Sequence, residues 1–74
     1  MSMRFITPRE KNTISSLMLK KQINDKHISR KFGKFHRIVD FRHFMQGRKI
    51  IEESTIKQLI TYLTNYGEGY NLYG

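Results

Sequence analysis

Ile14, Leu17 and Met18 stand at i, i+3 and i+4, with Leu19 and Lys21 beside them, and that spacing lays one apolar stripe along a helix. Just upstream, Thr7-Pro8-Arg9-Glu10 marks its start. Thr caps, Pro suits the first helical position, and Glu three residues after Thr closes a capping box. The pattern predicts a first helix from Thr7-Pro8 to about Lys21. Gln22-Ile23-Asn24 interrupts it, and Asn24 followed by Asp25 reads as the cap and first turn of a short second helix. Ile28 and Phe32 are the apolar pair of that helix, and Gly33 stands where a residue of positive φ stops it.

Beyond Lys34-Phe35, helical spacing resumes with Ile38, Phe41, Phe44 and Met45 and ends at Gly47. The opposite side of this third helix is assigned His36, Arg37, Asp40 and Arg42, a polar and mostly basic face. After the basic loop Arg48-Lys49, Glu52 and Glu53 favour a helix N-terminus, and Ile56, Leu59, Ile60 and Leu63 repeat at i, i+3, i+4 and i+7. From Asn65 onward three Gly and three Tyr follow no helical period, which predicts an extended or partly disordered arm. The expectation is an all-α, four-helix domain over residues 1–64 with a C-terminal tail over 65–74.

Seventy-four residues make one domain with a modest core, and no cysteine is present to staple it or to bind metal as thiolate. Neither a signal-peptide core nor a run of eighteen apolar residues occurs, so the expected location is the cytoplasm, in a prokaryotic or viral setting such as a bacterial host cell or its nucleoid. Charge changes the picture most. The formal net charge is +8, and thirteen of the fourteen Lys and Arg but only three of the six Asp and Glu precede Ile50. A positive field segregated in this way attracts polyanions, with nucleic acid the leading partner.

The order of elements resembles the phage repressor and Cro-like helix-turn-helix family, also called the XRE type. The likeness spans Ile14 to Leu63. It rests on Leu17, Leu19, Lys20 and Lys21 at the end of the first helix, and on Ile28-Ser29-Arg30-Lys31-Phe32-Gly33. Phe41-x-x-Phe44-x-x-Gly47-Arg48 and Glu53-Ser54-Thr55-Ile56-Lys57-Gln58-Leu59 complete it. Two departures stand out. The interval from Gly33 to Gly47 exceeds the family's, so the turn or the helix start is rebuilt. Asp25 also occupies the place where the family sets Gln, and a carboxylate cannot donate to a phosphate, whereas neighbouring Lys26 can.

The resemblance implies a lambda-repressor-like fold whose third helix enters the major groove of double-stranded DNA. Lys34, His36, Arg37 and Arg42 are then the base-reading candidates, Arg37 foremost, because Arg and Lys match guanine O6 and N7. Lys26, Arg30, Lys31, Arg48 and Lys49 are the phosphate candidates. Tyr66, Tyr70, Leu72 and Tyr73 are expected to pack on the bundle or on a second subunit of a homodimer reading a palindromic operator. The implied function is a transcriptional regulator, a small phage or mobile-element repressor acting by operator occupancy.

Alternatives remain open: an antirepressor or modulator that binds another regulatory protein, or an RNA-binding basic module. His27, His36 and His43 lack the spacing of a metal site, and the acids are scattered, so neither a metal, a cofactor nor a catalytic activity is expected. Phe35, Phe41 and Phe44 could stack on unpaired bases, but their spacing favours core.

Overall fold

In the computed structural model, which describes residues 2–67, the chain runs β1 (Met3–Arg4), α1 (Pro8–Lys21), α2 (Asp25–Lys31), α3 (Ile38–Met45), β2 (Ile51–Glu52) and α4 (Glu53–Asn65). It is mostly helical with a small two-stranded sheet. α1 starts as its capping box dictates: the Thr7 hydroxyl accepts from the Glu10 N–H at 3.1 Å, and the Glu10 carboxylate accepts from the Thr7 N–H at 3.0 Å. Asn24 caps α2 by accepting from the His27 N–H at 2.9 Å. α3 ends in a Schellman turn, in which Gly47 at φ +75° lets the Gly47 and Arg48 N–H groups reach the Phe44 and His43 carbonyls.

Gly33 does not play the part assigned to it. The left-handed residues among those described are Gln22, Gly47 and Gly67, and α2 instead stops at Phe32, whose backbone is extended. The reason lies in Phe35. Its N–H donates to the Phe32 carbonyl at 3.0 Å, and the resulting turn drops the Phe35 ring fully into the core. Gln22 takes the left-handed turn at the end of α1, where its N–H and that of Ile23 satisfy the Leu19 and Met18 carbonyls.

The sheet was not expected, because two-residue strands carry no alternation to read. β1 pairs antiparallel with β2, Met3 opposite Glu52 and Arg4 opposite Ile51, and the Glu53 N–H donates to the Ser2 carbonyl at 2.8 Å. Arg4 ties this ribbon to two helix starts. Its terminal nitrogens grip both Glu10 oxygens at 2.8 Å, and its Nε donates to Glu53 at 2.9 Å. Hydrogen bonding from Arg4, helped by the Thr7 N–H, holds the Glu10 carboxyl down at about 2 against the opposing effect of burial.

The core gathers Ile6, Ile14, Ile23, Ile28, Phe35, Phe41, Phe44, Ile51, Ile56, Leu59 and Leu63. At its centre Phe35 meets Phe41 edge-on at 5.2 Å and Phe44 at 5.3 Å. α1 packs on α4 and α2 on α3. Lys21 closes the far end by donating to the Thr64 and Tyr66 carbonyls at the end of α4. Leu19, placed beside the first stripe by its spacing, is 84% exposed.

Phe35→Ala should cost about 3–5 kcal/mol in urea unfolding, whereas Leu19→Ala should stay within about 0.5 kcal/mol. Gln22→Gly should raise stability by about 1 kcal/mol by relieving the left-handed residue. Because Glu10 titrates lower in the folded chain than in the unfolded one, its contribution is complete above about pH 4.5 and fades as pH falls toward about 2. Glu10→Gln should therefore lower the melting midpoint at pH 7 and flatten its decline between those two pH values; an unchanged acid limb would count against the Arg4 clamp.

Candidate nucleic-acid interface

α3 turns Asp40, Phe41 and Phe44 inward. Its outward side is consequently Val39, Arg42, His43 and, just past the last turn, Gln46, at i, i+3, i+4 and i+7. His36 and Arg37 precede the helix and are exposed, with Arg37 in the N-cap position. The polar face expected for this helix is thus revised in two respects. His36 and Arg37 approach from its N-terminal end, and Asp40 lies on the buried side, only 8% exposed.

Asp40 is nevertheless ionised, for a local reason. Desolvation pushes its pKa up, but the Arg37 backbone N–H at 3.2 Å, the Arg37 guanidinium at 3.5 Å and the Lys49 ammonium at 3.6 Å outweigh that and hold it below the usual value. Asp40 therefore caps α3 and fixes two basic side chains beside its start.

Each of the other base-reading candidates except His36 is also held by an acid. Arg42 donates through Nε to Asp25 at 2.9 Å, which links α3 to the first turn of α2. Lys34 donates to Glu52 at 2.8 Å and so reaches toward β2. Arg37 and Arg42 remain open to solvent, with side chains 74% and 62% exposed.

The phosphate candidates divide differently. Lys26 and Arg30 stand one helical turn apart on the exposed side of α2 and, like Arg48 after α3, make no ion pair among the described residues. Lys31 lies over the Tyr62 ring at 5.3 Å, and Lys49 is the one tied to Asp40. Asn24, Lys26, His27, Arg30 and Lys31 line one open, shallow depression. Asp25 joins α2 to Arg42, and Asp25, Arg42 and Gln46 line a second open depression together with Lys11, Ser15 and Met18 of α1.

The remaining candidates fall elsewhere. His27 shares a hydrogen bond with the Tyr62 hydroxyl at 2.7 Å and packs edge-on against Tyr66 at 5.3 Å, so it joins α2 to α4. Tyr66 is half-buried in that aromatic group, while Tyr70, Leu72 and Tyr73 lie outside the described residues. Phe35, Phe41 and Phe44 are buried and offer no ring to an unpaired base. Among the described residues no cluster of three or more His, Asp or Glu side chains is placed to hold a metal ion. No helix among them is long and apolar enough to cross a membrane.

Val39, His43 and Gln46 were missed by the sequence reading, which weighed His43 only as a metal ligand. A signal existed: they are the positions left when the core stripe of α3 is removed from a 3.6-residue period. Comparison with protein-family models, curated proteins and solved structures yields no match to this chain.

Proposed function

We propose that this protein is a sequence-specific double-stranded DNA-binding regulator of the lambda-repressor-like, helix-turn-helix kind. In this reading α2 and α3 form the motif, with the segment between them as its lengthened turn, and α3 enters the major groove. One observation carries the reading. Arg37 and Arg42 stand exposed at α3, and the Asp25–Arg42 ion pair ties α3 to α2, which carries the exposed Lys26 and Arg30, in a chain whose formal net charge is +8. Arg37 and Arg42 suit guanine O6 and N7, Gln46 suits adenine N6 and N7, and Val39 offers an apolar contact to a thymine methyl. Lys26, Arg30, Lys31, Arg48 and Lys49 meet phosphates and set the register.

The action is occupancy, with no bond made or broken. A single module of this size covers only about 600–1,000 Å² of surface on DNA, so the reading includes a homodimer on a palindromic operator, as for a small phage or mobile-element repressor. A second reading, a modulator that binds another regulatory protein, is favoured by the ribbon: Met3, Phe5 and Ile50 are 52%, 53% and 43% exposed, more apolar surface than DNA contact needs.

Selection from a random duplex pool separates the two. The DNA reading expects an enriched sequence, and neutralising five phosphates gives a log–log salt slope of about −4.5. Arg37→Ala should relax preference at one base position by about 1–3 kcal/mol, whereas Arg30→Ala should weaken all duplexes alike and make the slope shallower by about 1. No enrichment at low salt would overturn this reading in favour of a protein partner.

A further inference from the structure

We propose that Asp25 is a positioning residue that aims the Arg42 guanidinium at a base; the inference rests on the DNA reading above. Asp25 is the acid of a helix that otherwise carries Lys26, Arg30 and Lys31, and its ion-pair partner lies on α3. An exposed ion pair of this kind adds little to stability, so its consequence lies in geometry. Asp25 takes only the Nε of Arg42, at 2.9 Å. Among the described residues neither terminal nitrogen of Arg42 has a partner, and the side chain is 62% exposed. The anchored guanidinium therefore presents its two terminal amino groups to solvent as a ready fork, the geometry that guanine O6 and N7 accept.

The anchor point is itself fixed. Asp25 is the first residue of α2, directly after the Asn24 cap, and its side chain is 34% exposed. An unrestrained Arg must surrender the freedom of a long side chain when it binds, and an arginine already held through Nε surrenders less. Lys26 and Arg30 have no such restraint, which suits contacts to phosphates that carry no sequence information. Asp25 also repels the phosphate backbone, so it lowers affinity for every duplex while favouring the one that Arg42 reads. Specificity is the difference between those two affinities.

The experiment compares the parent protein, Asp25→Asn, Arg42→Ala and the double variant. Each is titrated with random duplex, with the selected duplex, and with single-base variants of it. Asp25→Asn keeps the size and helix-start preference of the residue, and circular dichroism melts should place its midpoint close to the parent's. The expected result is tighter binding of random duplex with about tenfold poorer discrimination at the base position that Arg42→Ala relaxes. In the Arg42→Ala background, Asp25→Asn should change that discrimination no further. Unchanged discrimination in Asp25→Asn, with a parent that does select a sequence, overturns the positioning role alone. A parent that selects no duplex overturns the DNA reading and this inference together.

Discussion

Three phenylalanine rings, from Phe35, Phe41 and Phe44, converge at the centre of a chain that has no disulfide to fall back on. Two of them come from α3, and the third comes from the irregular segment between α2 and α3. Burying Phe35 is therefore what pulls that segment inward and sets where α3 begins. A helix whose inner side is committed to Phe41 and Phe44 must turn Val39, Arg42, His43 and Gln46 outward. Core packing and surface presentation are two sides of the same short helix.

The acids of this basic protein are used as fasteners. Among the described residues every Asp and Glu side chain holds at least one Lys or Arg: Glu10 and Glu53 hold Arg4, Asp25 holds Arg42, Asp40 holds Arg37 and Lys49, and Glu52 holds Lys34. Arg4 binds the sheet to the starts of α1 and α4, so that set is architectural. The Asp25 and Asp40 sets lie at α3 and restrain the arginines beside it. Arginines at α3 are thus restrained, while Lys26 and Arg30 on α2 and Arg48 after α3 make no ion pair among the described residues.

Much of this was legible from local chemistry. The starts of α1 and α2 follow from Thr7-Pro8-Arg9-Glu10 and Asn24, and Gly47 ends α3, because capping acts over three or four residues and leaves its signature in adjacent positions. The stripe Ile56, Leu59, Ile60 and Leu63 likewise announced α4, and the crowding of Lys and Arg before Ile50 announced a basic surface. Such features depend on spacing along the chain, and spacing is what an amino-acid string records.

Pairings between distant positions had no such signature. The ribbon of Met3–Arg4 with Ile51–Glu52, the reach of Arg4 to Glu53 and the bond from Asp25 to Arg42 each join residues with unrelated local environments. Gly33 looked like a stop because glycine tolerates positive φ, yet the demand for a third ring in the core shaped that turn differently. Asp40 looked like surface for its charge and became a buried cap through neighbours brought to it by folding. Periodicity and caps are short-range constraints and can be read residue by residue; which charge meets which, and which ring fills the centre, are settled when helices pack and every cavity and carboxylate must find its partner at once.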